Sequence, residues 1–275
     1  MVALTKTWQN ILITGDKGFI GTHFVKSFGL NDGWKYQLSG WDLQDKKDIF
    51  TNRFEEAVRE ADVVIHLAAL TNVTNSFKNN EEVFKINVLG TARVVRLCQK
   101  YDKKLIYPSS AAVYHRELSP YAESKAQAED IVRQFKNTTI LRFFNVYGPG
   151  MNQDSGSLMY EFVKGLKTGK LTVFGDGEQT RDFIHVKDIV QIIKSAISPK
   201  WNGEVVDCGT GEAYSINYIA GLFAHFGKVK IEYELPRREI KWSIANTAML
   251  KRLYRKHLKD IEDGIKEVVE FYETN

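Results

Sequence analysis

The chain has 275 residues, 43% hydrophobic and 26% charged, with a formal net charge of +4, values of an ordinary soluble globular protein with room for one large domain or two unequal ones. Its two cysteines, Cys98 and Cys208, exclude a disulfide framework, and six scattered histidines with no i, i+4 pair give no metal-ligand spacing. No apolar run reaches the roughly 18–20 residues that cross a bilayer, and "MVALTKTWQN" lacks the pattern of a secretion signal, so a cytoplasmic protein without membrane or metal is expected.

In chain order, short apolar runs alternate with segments of helical period. "ILIT" (11–14) reads as a strand and 19–28 as the helix after it. "YQLSGWD" (36–42) is a strand, "FEEAVRE" (54–60) a helix and "DVVIHLA" (62–68) a strand rich in β-branched residues. Residues 81–101 form a long helix, "KLIYPSS" (104–110) a strand, 121–135 a helix and "TTILRFF" (138–144) a strand. Nearly apolar strands separated by helices predict a parallel sheet covered on both faces. After about residue 148 the rhythm changes. A Gly/Asn/Ser-rich connector (148–157) precedes a helix at 158–168, "LTVFGDGEQTRDFIHV", a helix near 187–197, the strand "EVVDCG" and two late helices. The basic runs "KYDKK" and "KRLYRKHLK" read as solvated helix ends, not a nucleic-acid patch.

The stretch "ILITGDKGFIG" places Gly15, Gly18 and Gly21 where the first strand hands over to a helix. Gly15 suits a tight turn, Gly18 a close backbone approach to a pyrophosphate, and Gly21 close packing of helix on strand. The helix N-terminus then offers unpaired amides to phosphates. Asp42, at the end of the second strand, is placed to accept hydrogen bonds from an adenosine ribose and favours NAD over NADP, while Lys46 and Lys47 beside it would suit a 2′-phosphate. "YAESK" sets Tyr121 and Lys125 on one helix face, with Ser119 before Pro120 as a natural helix start. An ammonium beside a phenol favours phenolate and lowers a pKa ordinarily near 10, which makes a general base.

Several motifs in fixed order resemble the extended short-chain dehydrogenase/reductases of the nucleotide-sugar epimerase/dehydratase group. They are "TGDKGFIG", "DVVIHLAA", "NVLGTARVV", "YPSSAAVY", "SPYAESKAQAE", "LRFFNVYGPG", "GDGEQTRDFIHVKDIV" and "DCGTGEAYSI", together covering nearly the whole chain. The resemblance implies an α/β fold: a Rossmann-type doubly wound parallel sheet with a smaller α/β C-terminal substrate-binding domain. Residues 1–148 would bind NAD, with 183–210 returning to that domain, and 149–275 would hold the substrate. It implies a catalytic trio of Ser110, Tyr121 and Lys125, with Ser109 the second choice for the serine. Cofactor contacts fall on Gly15, Gly18, Phe19, Ile20, Gly21, Asp42, Asp48, Ile49, Leu67, Ala68, Ala69, Tyr121 and Lys125. A UDP-sugar or similar nucleotide-diphosphate sugar would meet Ser110, Asn145, Leu158, Val173, Phe174, Arg181 and Arg238, with Arg237 competing for the last place. Leu158, Val173 and Phe174 read equally well as core. His66, Asn87 and His185 are expected to be structural, and a homodimer through the helices at 87–101 and 121–135 is implied.

Dehydratases and decarboxylases of this group carry acids directly after the catalytic Ser/Thr; here Ala111 and Ala112 stand there, and alanine cannot move a proton. "SSAAVY" looks like the UDP-galactose 4-epimerase form, which implies oxidation of C4 to a ketosugar and return of the hydride to its other face. An NAD(P)H-dependent ketosugar reductase and a non-catalytic NAD-binding regulator are the alternatives. Departures from the pattern are the short Asp42–Asp48 interval, the trimmed "AAVYHRELSP" loop with His115 in place of glycine, Asp207 in place of asparagine, the lack of a lysine after "HLAA", and a short C-terminal part. These trims predict a more open sugar pocket.

Overall fold

The computed structural model describes residues 9–28, 36–151, 153, 156–237 and 239–274. The first half runs β1 (Gln9–Thr14), α1 (Phe19–Lys26), β2 (Tyr36–Trp41), α2 (Asn52–Glu60) and β3 (Val63–His66). It continues through α3 (Val73–Lys78), α4 (Asn80–Phe84), a π-helical turn (Lys85–Gly90), α5 (Thr91–Lys100), β4 (Lys104–Ser110), α6 (Pro120–Val132) and β5 (Thr138–Phe143). The second half runs β6 (Asn145–Tyr147), α7 (Leu158–Thr168), β7 (Lys170–Phe174), β8 (Thr180–His185), α8 (Val186–Ala196), β9 (Val205–Cys208) and β10 (Ala213–Ser215). Last come α9 (Ile216–Ala224), β11 (Lys230–Glu234), β12 (Trp242–Ser243), α10 (Ala248–Leu253) and α11 (Ile261–Thr274).

Six strands form one parallel sheet in the order β2-β1-β3-β4-β5-β9. Alternation along the strands fills two cores. Ile11, Ile13, Val63 and Ile65 pack with Phe24 of α1 and Ile189 and Ile193 of α8. Leu12, Val64 and Leu105 pack on the other face with Phe54, Val94 and Val132. Both faces are therefore dry, which is why the strands read as continuous apolar runs. Strand order reverses between β1 and β3, and the crevice beyond their C-terminal ends is where such sheets bind ligands.

The second layer has its own core of Met159, Phe162, Val173, Phe183, Phe223 and Val268. In it β8 lies between β10 and β12, with β6 also pairing β8, and β7 pairs β11. Three differences from the sequence expectation stand out. The long helix at 81–101 contains a π-helical turn, to which a 3.6-residue pattern is blind over so short a span. Residues 171–186 resolve into β7 and β8 around a turn at Gly175 and Gly177, both at positive φ. After β9 there are three helices among the described residues where two were expected, the first of them, α9, starting behind its Ser215 cap.

Candidate active site

The glycine turn lies at the strand-order reversal. Gly15 has φ +74°, and a Cβ there would meet Ala68 N of the chain leaving β3 at 2.7 Å. A Cβ on Gly21 would fall 2.2 Å from Gly15 O, so this glycine packs α1 against the turn itself, not against the strand. Gly18 starts α1 without a side-chain cap, leaving the helix mouth to a ligand. These glycines let the turn close tightly against β3 and α1, and the helix N-terminus it presents has no side-chain cap, so the residues present fit the pyrophosphate of a dinucleotide. Ala68 N donates to Thr14 Oγ1 at 3.2 Å, which locks the two sides of the crevice together, and Ala69 follows half-buried.

Asp42 follows β2 and accepts from Gln44 N at 2.9 Å and Lys17 N at 3.3 Å. Lys47 donates to Gly40 O at 2.8 Å, so its charge is turned onto the backbone and away from any 2′-phosphate role. Asp48 accepts from Phe50 N at 2.8 Å. Ile49 is buried in the core beside α2, and Ile20 and Leu67 pack on the opposite core; Phe19 packs on the second layer.

Beyond β4, the hydroxyl of Ser110 stands near enough to the phenol of Tyr121, in the first turn of α6, to favour its ionised form. Ser119 caps that helix, accepting from Ala122 N at 3.1 Å, with Pro120 at its first position. Ser109 is buried and donates to Glu129 Oε2 at 2.7 Å. Lys125 is buried, donates to Pro108 O at 2.7 Å and lies over the Tyr107 ring at 4.4 Å. Burial pulls its pKa down to about 7, against the opposing pull of Glu129. Burial also raises the Tyr121 phenol, and only the nearby Ser110 hydroxyl lowers it. Protein groups alone thus lift this phenol, and Lys125 faces a carbonyl and an aromatic ring.

The three residues read as structural take those roles. His66 bridges Thr14 Oγ1 at 2.7 Å and Thr91 Oγ1 at 3.2 Å. Asn87, in the π-helical turn, pairs with both backbone groups of Leu70 and donates to Ser124 Oγ at 2.9 Å. His185 caps α8.

On the second layer an open cleft of about 1160 Å³ is lined by Phe174, Gln179, Tyr233, Pro236, Arg237 and Glu239 among others. Arg181 forms an ion pair with Glu239 and donates to Thr180 O at 2.8 Å. Arg237 stacks on Phe174, and Arg238 lies outside the described residues. Asn145 is exposed and donates to Asp182 O at 2.9 Å. Leu158 is half-buried, whereas Val173 is fully buried, so its side chain is core and the cleft is left to Phe174. Sequence reasoning missed Glu239, Glu129 and Tyr114. Glu129 was within reach of it, four residues past Lys125 on the same helix face.

The profile of the NAD dependent epimerase/dehydratase family matches residues 11–209. The chain belongs to that family, whose cofactor is NAD. Among curated proteins it is 31% identical to a putative UDP-glucose 4-epimerase of Methanocaldococcus jannaschii, covering 96% of this chain and 99% of that one. Among solved structures it is similar to MoeE5 in complex with UDP-glucose and NAD (26% identity, TM-score 0.86, 96% and 99% of the chains). It is similar also to the UDP-N-acetylglucosamine 4-epimerase of Methanobrevibacter ruminantium M1 in complex with UDP-N-acetylmuramic acid (25%, TM-score 0.88, 98% and 99%).

Proposed function

We propose that the protein is a nucleotide-sugar 4-epimerase of the UDP-glucose/UDP-galactose type. The observation that carries this reading is Tyr121 and Lys125 one turn apart on α6, with Lys125 fixed on Pro108 O of β4 and the Ser110 hydroxyl near the phenol, and Ala111 and Ala112 where an acidic pair would be needed for dehydration. In this reading Tyr121 takes the proton of the C4 hydroxyl and gives it back to the same oxygen after the ketosugar has turned, when the hydride is restored on the other face of C4. Ser110 orients the reacting oxygen, and Lys125 holds positive charge beside the phenol. Bound NAD supplies the acceptor and donor for the C4 hydride. Gly15, Gly18, Phe19, Ile20, Gly21, Asp42, Asp48, Ile49, Leu67, Ala68 and Ala69 form the cofactor's side of the crevice. Asn145, Leu158, Phe174, Arg181 and an arginine at 237 or 238 would hold the nucleotide diphosphate, Arg181 exchanging Glu239 for phosphate oxygens. Lys47's engagement with Gly40 supports NAD over NADPH, and with it an epimerase over a reductase. We propose the division into 1–148 with 183–210 for the cofactor and 149–275 for the sugar nucleotide, and a homodimer through the helices at 87–101 and 121–135, where Leu89 is left exposed.

Incubation with UDP-glucose, UDP-galactose and their N-acetyl forms, without added cofactor, is expected to interconvert one pair. Tyr121→Phe is expected to lower kcat by about 10³-fold. Turnover only with stoichiometric NAD(P)H consumption and a ketosugar would replace this reading by that of a reductase.

A further inference from the structure

Ser110 and Tyr121 stand at the two ends of one connection, the 3₁₀ segment Ala111–Leu118, which is kinked at His115 (φ −137°, ψ 53°). The segment is tied down at two side chains. Arg116 forks onto Glu123 of α6 at 2.7 and 2.9 Å. Tyr114, half exposed, sends its phenol the other way, donating to Asp207 of β9 at 2.8 and 2.9 Å and accepting from Arg142 Nη1 of β5 at 2.6 Å. The Arg142 guanidinium also lies 4.6 Å over the Tyr114 ring. Its remaining nitrogens hold Glu129, which accepts the hydroxyl of Ser109. The contacts close a ring from Ser109 through Glu129, Arg142 and Tyr114 back along the chain to Ser110.

The ring reaches the reacting groups through one hydrogen bond. Ala112 N, two residues before Tyr114, donates to Ser110 Oγ at 3.2 Å. That hydrogen bond holds the Ser110 hydroxyl in place beside the Tyr121 phenol, where it is the one protein group that lowers the phenol's pKa. We propose that Tyr114 is a positioning residue for the Ser110–Tyr121 pair, its phenol clamped between Arg142 and Asp207 so that Ala112 N–H is held on Ser110. Tyr114 touches no reacting atom; it acts through the connection it anchors. The carboxylate at position 207 belongs to this device: Asp207 offers both oxygens to Tyr114 and stands 3.8 Å from Arg142, so the phenol is gripped by an anion and a cation at once. A neighbouring amide donates to it as well, from Asn246 at 3.3 Å.

This inference rests on the epimerase reading. The test compares the parent with Tyr114→Phe, Asp207→Ala and Asp207→Asn, measuring kcat, KM, the pH dependence of kcat and amide hydrogen exchange over 111–118. Tyr114→Phe and Asp207→Ala are expected to lower kcat about tenfold, to change KM for the sugar nucleotide less than twofold, and to move the pKa governing kcat upward. Asp207→Asn keeps an acceptor for the phenol and is expected to recover most of the rate. Faster exchange over 111–118 in Tyr114→Phe is expected whether or not the parent epimerises a sugar, so failure of the functional reading leaves the clamp measurable. Unchanged exchange overturns the proposal, as does a rate loss whose pH profile stays that of the parent.

Discussion

At 2% exposure, His66 sits between two threonines, and burial pulls its pKa down to about 3, with the nearby Lys125 charge adding to the effect. The unfolded chain binds a proton at this residue below pH 6.5, the folded one only near pH 3. Folding stability is therefore expected to fall as solution is acidified from pH 6.5, by up to about 1.4 kcal/mol per pH unit from this residue alone. His66→Gln costs stability at pH 7 but lacks this slope, so its deficit in melting temperature against the parent should narrow at pH 5; a constant deficit would show that His66 does not titrate this way. The same scale holds the sharpest contrast between pattern and environment. The i, i+4 spacing of Tyr121 and Lys125 was legible, but desolvation of both groups was not, because burial depends on residues far away in sequence. Likewise "SS" at 109–110 offers two equivalent hydroxyls until the strand's alternation sends Ser109 to Glu129 and Ser110 to Tyr121.

At the level of the element, α6 is the part most fully written in its own sequence. Ser119, Pro120 and the apolar face specify its start, and the structure places the cap where the residues predict it. Ser119→Ala is expected to lower stability by about 1 kcal/mol in urea denaturation, and because Tyr121 lies in the first turn, to lower kcat as well. The turn before α1 is equally local. Gly21→Ala would put a Cβ onto Gly15 O, so the turn must shift, and NAD affinity measured by fluorescence titration should weaken at least tenfold while far-ultraviolet circular dichroism stays close to that of the parent. The π-helical turn at Lys85–Gly90 was not legible. What it achieves, turning Asn87 onto Leu70 and Ser124, is a contact between distant segments.

For the molecule as a whole, the sixth strand decides the architecture. β9 comes after β6, α7, β7 and β8 of the second layer yet pairs with β5, and the connection before it brings Trp201, fully buried, with its carbonyl accepting Thr139 Oγ1 at 2.8 Å. The core behind the sheet draws Ile189, Ile193 and Val206 from this returning segment. A fragment of residues 1–148 would expose the β5 edge and half of that core, so it is expected to aggregate or to lack a cooperative thermal transition by circular dichroism, whereas the full chain melts in one. A soluble fragment with a sharp transition would refute this.

Order along the chain, the glycine turn, the family motifs and the absence of acids at 111 and 112 are local facts, and the sequence by itself determined them. Which serine faces the tyrosine, how Lys47 and Arg181 spend their charges, why Val173 is core while Phe174 lines the cleft, and the ring that ties Ser109 to Ser110 were decided only by tertiary structure. The physical reason is that pattern fixes where a group lies along its own helix or strand, while partners and desolvation come from segments tens of residues away.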